Sequence, residues 1–200
     1  MPETVNPIRV LIAEDEAIIR MDLAEMLEEE GFDVVAEASD GREAVELARE
    51  HKPDLAILDI KMPGMSGIRA AEIITREHIS AVLILTAFSQ RDLAADAAQA
   101  GAMAYLVKPF QKSDLVPAIE VALERYRDLQ ELRRDVSDLA DRLETRKIVE
   151  RAKGVLMEQG MTEADSYQLL QRAAMDRGLR MAQVARLVIE GRLGDAAAES

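Results

Sequence analysis

Acidic residues recur in this sequence where short apolar runs end. Glu14, Asp15 and Glu16 follow the run at 8–13, and Asp59 follows Leu55-Ala56-Ile57-Leu58. Carboxylates brought close together repel strongly unless a cation lies between them. An all-oxygen set suits a hard divalent ion such as Mg²⁺, which keeps several of its waters. Two further groups end apolar runs: the hydroxyl of Thr86 after 81–85, and the ammonium of Lys108 after 102–107. A carboxylate whose charge is compensated can attack phosphorus when the donor is held in line. In such a step Mg²⁺ would neutralise phosphoryl oxygens, Lys108 would offset another as a point charge, and Thr86 could donate a hydrogen bond. Any one of these acids alone reads as a solvated loop residue. All of them at matching strand ends do not.

For those groups to meet, the runs must be strands of one sheet. The runs at 8–13, 34–36, 55–58, 81–85 and 102–107 are rich in Val, Ile, Leu and Ala. Between them, 17–30, 42–50, 68–77 and 92–100 carry apolar residues three and four apart, the spacing of one helix face. Gly31 and Gly101 stand where two of these helices end, a position that glycine fills readily. Strands that alternate with helices call for a parallel sheet covered on both faces. The expected fold class is therefore α/β, a five-stranded doubly wound parallel sheet. Functional sites of such sheets lie beyond the carboxyl ends of the strands, where the acids, Thr86 and Lys108 fall.

From Ser113 onward the strand signals stop. Ser113 or a neighbour reads as an N-cap, and Pro117 as a residue of the first helical turn. Leu115, Ile119, Ala122, Tyr126, Leu129, Arg133, Val136, Ala140 and Leu143 follow at spacings of three and four, a heptad-like stripe interrupted by Arg133. A long connecting helix over 113–145 is expected. Its stripe suits packing on its own domain, packing between domains, or coiled-coil pairing with a second copy. Beyond it, helical segments are expected at 141–158, 163–176 and 180–189, punctuated by Gly160, Gly178 and Gly191. Thr162, with Asp165 three residues on, resembles a capping box. The apolar positions, Met157 and Met175 included, read as the core of a small all-α, three-helix domain over 140–194. The Ala-rich 195–200 reads as a frayed tail.

Composition narrows the function classes. The 200 residues include no cysteine, which removes disulfides, thiolate metal sites and a cysteine nucleophile. His51 and His78 fall at helix ends and read as solvated. No apolar stretch approaches the roughly 20 residues that cross a bilayer, and no basic region precedes an apolar core at the N-terminus. A cytoplasmic protein without a membrane partner is expected. The net charge is −13, yet ten Lys and Arg face eight acids between Asp141 and Gly194. The acidity belongs to the first part of the chain. From Asp141 on there is no histidine, no acid cluster at ligand spacing and no Gly-rich phosphate loop, so this part reads as a binding module. Its charge is low for a helix that reads DNA. Arg146, Lys147, Arg151 and Lys153 lie close together on one helix, and Arg172, Arg177 and Arg180 follow. They are candidate contacts to RNA phosphates or unpaired bases, or else a solvated face balanced by Glu144, Glu150 and Asp176.

Glu14-Asp15, Leu58-Asp59-Ile60-Lys61-Met62-Pro63-Gly64-Met65-Ser66-Gly67, Leu85-Thr86-Ala87 and Leu106-Val107-Lys108-Pro109-Phe110 resemble the signature of response-regulator receiver domains, over residues 8 to about 125. The resemblance implies a flavodoxin-like domain over 1–125, with Asp59 the phosphoacceptor, Asp15 a direct Mg²⁺ ligand and Glu14 an outer carboxylate where Asp is commoner. The backbone carbonyl of Lys61 would complete the metal site. Thr86 and Tyr105 would form a switch pair, although a tyrosine on a strand also suits plain core packing. A histidine kinase would be the donor, and the Lys108–Pro109 peptide would be cis. Such a domain is a switch that takes a phosphoryl group and slowly releases it, not an enzyme acting on other molecules.

A second resemblance covers about 140–192. Ile148, Ala152-Lys153-Gly154-Val155-Leu156-Met157, Ala164, Tyr167, Leu170, Ala173-Ala174-Met175, Leu179, Val184-Ala185 and Ile189 are similar to the ANTAR domain. That family implies a three-helix module that binds paired RNA stem-loops and prevents transcription termination. The expected function is phosphorylation-controlled antitermination, with a homodimer forming on phosphorylation. Two other functions fit parts of the sequence: an output that binds protein instead of RNA, and a metal-dependent phosphatase or transferase using the acidic pocket.

Overall fold

The computed structural model describes residues 6–87 and 98–193. The chain divides into two compact units, Met1–Gln130 and Glu131–Ser200. The helix expected at 92–100 lies almost wholly outside the described residues, and so does the tail at 195–200.

The first unit holds a parallel sheet of β1 (Arg9–Ala13), β2 (Asp33–Ala38), β3 (Leu55–Asp59), β4 (Ala81–Thr86) and β5 (Ala104–Val107), in the order β2-β1-β3-β4-β5. The helices α1 (Ala17–Glu29), α2 (Gly41–His51) and α3 (Gly67–Arg76) connect successive strands. Side chains alternate between the two faces of the strands. Leu11, Ala13, Ala56, Leu58, Val82 and Ile84 bury against α2 and α3 on one face. Val10, Ile12, Leu55, Ile57, Leu83 and Leu85 meet Leu23 and Leu27 of α1 on the other. Burial on both faces is why β1, β3 and β4 read as unbroken apolar runs, and each buried Leu or Ile stabilises the fold by about 1.5–3 kcal/mol. β2 runs longer than its apolar stretch because an edge strand pairs through its backbone and leaves Asp33 and Glu37 exposed.

The helix α2 starts where the Asp40 carboxylate accepts the N–H groups of Arg42 and Glu43, at 2.7 and 3.0 Å. α3 starts where the Ser66 hydroxyl accepts that of Arg69. These side chains satisfy donors that a helix start leaves open.

One helix, α4 (Lys112–Glu158), replaces the separate helices expected at 113–145 and 141–158. Nothing in the sequence ends it. Gly154 alone costs about 1 kcal/mol relative to Ala, too little to stop a helix whose inward face packs through Val149, Ala152 and Leu156. Pro117 lies in the second turn, not the first. The helix begins at Lys112, and Leu115 N–H already donates to the Gln111 carbonyl. Proline at 117 therefore forfeits one internal bond, to the Ser113 carbonyl. Leu115, Ile119 and Ala122 pack into the first unit. Farther along, the exposed apolar residues are Leu132, Val136, Leu139 and Leu143. The stripe passes through Leu132 and Leu139 where the sequence reading placed Arg133 and Ala140.

In the second unit, α5 (Glu163–Arg177) and α6 (Met181–Ile189) pack on the last part of α4 around Val149, Ala152, Leu156, Leu170, Val184, Ala185 and Val188. The Thr162 hydroxyl caps α5, accepting from Asp165 N–H at 3.1 Å and donating to the Asp165 carboxylate at 2.7 Å. Gly178, at φ 61°, closes it. Met157 and Met175, expected in this core, are 47% and 75% exposed. Leu156 takes the inward position on α4, and its neighbour Met157 is turned away by the roughly 100° between successive helical residues. No helix among the described residues is long and apolar enough to cross a membrane.

Candidate phosphoacceptor pocket and basic output face

The strand order reverses between β1 and β3, which opens a crevice at their carboxyl ends. Ala13 stands opposite Leu58, and Asp59 opposite Leu85. The residues that follow β1 therefore lie beside Asp59. Glu14, Asp15 and Asp59 each offer an oxygen within 4.8 Å of the others. Glu14 and Asp59 are buried and Asp15 is exposed.

Lys108, just past β5, supplies the balancing charge. Its ammonium pairs with the Glu14 carboxylate and with Asp59 Oδ1, the latter at 2.6 Å. Asp59 Oδ2 accepts the N–H of Lys61 at 2.7 Å. Burial raises the pKa of Glu14, against the opposing hydrogen bond from Lys108. Burial alone would lower that of Lys108, but its hydrogen bonds to Asp59 and Glu14 carry it above the ordinary value. A cation is thus already favoured between these two carboxylates. With an all-oxygen donor set and one exposed acid at the rim, the pocket fits a hard divalent ion.

Thr86 is buried at the end of β4, and its carbonyl accepts the Lys108 N–H at 2.7 Å, which ties β4 to β5 at the pocket. The Lys108–Pro109 peptide is cis. Tyr105 stands opposite Ile84 on the edge strand and is 55% exposed, so its ring does not fill the core. Two contributors were not legible beforehand. Arg20 of α1 donates to the Glu14 carbonyl and pairs with Glu37 at 3.1 Å; an arginine on a helix face carries no signal of that role. Gly67 has its α-carbon so close to β3 that an added Cβ would sit 1.9 Å from the Asp59 carbonyl oxygen. Its place at the head of an apolar helix was the available hint.

The seven basic candidates of the second unit separate into two groups. Arg146, Lys147, Arg151, Arg172 and Arg180 are exposed. Lys153 is buried, with its ammonium between Glu150 at 3.1 Å and Glu163 at 2.6 Å. Arg177 is half-buried and donates to the Leu193 carbonyl at 2.6 Å. Lys153 thus ties α5 to α4, and Arg177 ties α5 to the segment that follows α6. Tyr167, outside the candidate set, is 46% exposed.

The profile of the response regulator receiver domain matches residues 10–120, and that of the ANTAR domain matches 137–189. The chain belongs to the response regulators. The regulator is 61% identical over 185 residues to the transcriptional regulatory protein PdtaR of Mycobacterium tuberculosis, spanning 92% of this chain and 90% of that one. Its receiver part is 44% identical over 116 residues to the chemotaxis protein CheY of Bacillus subtilis, which covers 58% of the regulator and 97% of the relative. Among solved structures, it is similar to a two-component response regulator of the LuxR family from Aurantimonas, with a TM-score of 0.56 and 35% identity over 59% of this chain and 86% of that one. It is also similar to a CheX–CheY–BeF3–Mg complex from Borrelia burgdorferi, with a TM-score of 0.54 and 30% identity over 56% and 87%. The regulator thus has a receiver domain and an ANTAR domain, and receiver domains are phosphoacceptor switches.

Proposed function

We propose that this regulator takes a phosphoryl group on Asp59 from a histidine kinase and in response binds stem-loop RNA to antiterminate transcription, in the cytoplasm. The observation that carries the reading is the pairing of half-buried Lys108 with buried Glu14 and Asp59 at the sheet's carboxyl edge, in a chain that also matches the ANTAR profile. Mg²⁺ would be held by Asp15, Asp59 and the Lys61 carbonyl with Glu14 behind, and when bound it supplies charge neutralisation at the phosphoryl oxygens. The magnesium and beryllofluoride in the name of the Borrelia relative support this. Asp59 Oδ1, released by Lys108, attacks the phosphorus as the P–N bond to the kinase's phosphohistidine breaks and its imidazole leaves. Lys108 then offsets charge on the phosphoryl group and Thr86 donates to it, with Tyr105 answering as its switch partner. Ile18 and Met21 of α1 are exposed, and Ile19, Leu23 and Met26 of the same helix line, with Pro109 and Phe110, a groove of about 360 Å³. Its closeness to Lys108 suits the docking of the kinase.

In this reading the receiver domain spans 1–125 and the ANTAR domain 140–194, joined through 113–145. The exposed Leu132, Val136, Leu139 and Leu143 alternate at spacings of four, three and four, which suits pairing with a second copy on phosphorylation. Two linked RNA modules then bind far more tightly than one.

The test is a titration of a two-stem-loop RNA with the full chain, before and after acetyl phosphate and Mg²⁺, with Asp59→Ala as control. Phosphorylation should tighten binding in the wild type and leave the control unchanged. If Asp59 is phosphorylated and no such RNA binds at moderate salt, the RNA output is refuted. The exposed Met157 and Met175 would then favour a protein partner.

A further inference from the structure

The second unit carries a groove of about 460 Å³ where α4 meets α5 and α6, within the roughly 300–1,000 Å³ of small-ligand pockets. Val149 and Met181 line it together with the ring of Tyr167, which projects from α5 and makes no hydrogen bond among the described residues. Thr145 adds a hydroxyl, and Arg142 and Arg146 add two guanidiniums at the α4 side.

The charges here are unequal. Glu150 lines the groove, but its carboxylate is held by the buried ammonium of Lys153. Asp141 is the other acid. Arg142 and Arg146 are exposed and make no ion pair among the described residues. Two uncommitted cations therefore face one uncommitted acid beside an open aromatic face. A ligand complementary to this place carries a flat π-system and negative charge on either side of it. One nucleotide step of a single strand has that form, and base–aromatic stacking needs no particular sequence.

We infer that the groove takes one unstacked nucleobase of an RNA loop. The base lies on the Tyr167 ring, Thr145 meets its edge, and Arg142 and Arg146 meet the flanking phosphates. The inference rests on the RNA-binding reading given above. It adds Thr145 and Arg142, which neither resemblance nor charge clustering marks, gives Tyr167 a stacking role, and gives Lys153 a positioning role in place of a contact. By holding Glu150 and Glu163 together, Lys153 fixes α5 on α4 and neutralises the acid nearest the base.

The experiment uses the phosphorylated full chain and a two-stem-loop RNA, intact or with single loop nucleotides made abasic. Tyr167→Ala should weaken binding to the intact RNA roughly ten- to a hundred-fold, while Tyr167→Phe retains it. Tyr167→Leu, which keeps apolar bulk without the aromatic face, should resemble Tyr167→Ala. One abasic position should cost the wild type a similar factor and cost Tyr167→Ala nothing more. Arg146→Ala should reduce the salt slope by about one, which Tyr167→Ala should leave alone. Equal binding by wild type and Tyr167→Ala, or fully additive losses, would overturn the inference while RNA binding itself stands. A wild type that binds no RNA would overturn both.

Discussion

Replacing Gly67 with alanine is a severe test of how α3 is seated under Asp59. The added methyl would lie 1.9 Å from the Asp59 carbonyl oxygen and 2.8 Å from its carbon. Both are backbone atoms of a strand paired on two sides, so no flexible side chain can swing away. Overpacking costs about 1–3 kcal/mol and sometimes more, and a contact this close belongs at the upper end. Alanine recovers at most about 1 kcal/mol of helix propensity. A net loss of about 2 kcal/mol is expected. Gly154→Ala makes the opposite case. Its Cβ would meet nothing within 4 Å, inside a helix, so the same substitution should stabilise by about 0.5–1 kcal/mol. Urea unfolding of the full chain, with separate signals for the two units, measures both. Phosphorylation of Gly67→Ala by acetyl phosphate should also slow, since the Asp59 backbone must shift. If Gly67→Ala unfolds like wild type, or if both variants move in the same direction, the close-packing argument is wrong.

Lys108→Met leaves Glu14 and Asp59 buried without their shared ammonium, a loss of about 3 kcal/mol at neutral pH. Burial places the folded pKa of Glu14 above its ordinary 4.5, so its protonated form is favoured on folding and the loss should shrink as pH falls from 7 to 5; urea unfolding at both values decides it. The Lys153–Glu163 pair has the opposite acid limb. The Glu163 pKa is lowered from 4.5 by Lys153, and that of Lys153 is raised from 10.5 by Glu163 and Glu150. The pair's contribution is then complete between those ordinary values, falling away in acid below 4.5 and in alkali above 10.5. Glu163→Gln should abolish the acid dependence in the second unit's unfolding signal, and an unchanged profile would contradict the pairing. Pro117→Ala restores a donor for the Ser113 carbonyl on an exposed face of α4, and should raise the first unit's stability by about 1–2 kcal/mol in thermal unfolding.

The acids were legible because each stands at the end of a run buried on both faces, and Lys108 because it ends an apolar run on the edge strand β5; the parallel architecture sends all such ends to one edge. What the sequence left hidden depends on pairing between elements. Lys153 reads as one more cation on a basic helix; its second partner, Glu163, lies on the next helix and outside any helical repeat. Met157 and Met175 share residue type with core positions, and only the packing of Leu156 and Leu170 decides which side faces inward. A single heptad phase carried on from Leu115 runs the stripe of α4 through Arg133. Between Tyr126, Leu129 and Leu132 the apolar positions take two steps of three in succession. That is a phase change of the kind a three-residue insertion makes in a heptad pattern, and it moves the apolar line from Arg133 to Leu132. Arg20 and Gly67 act through backbone atoms of distant residues, which no local pattern records.

Residues 131–144 of α4 are exposed at every position except the half-buried Arg133. A helix of that length is marginal in water when nothing covers it, so its hydrogen bonds depend on the anchored turns at either end. Its amide hydrogens should therefore trade for deuterium sooner than those of the buried turns around Ile119 and Ala152. Any second chain or partner laid along Leu132, Val136 and Leu139 would slow that trade at those amides first. Isotope uptake along this one helix can thus report in real time whether a second chain or partner covers it, with no label attached to either end of the protein.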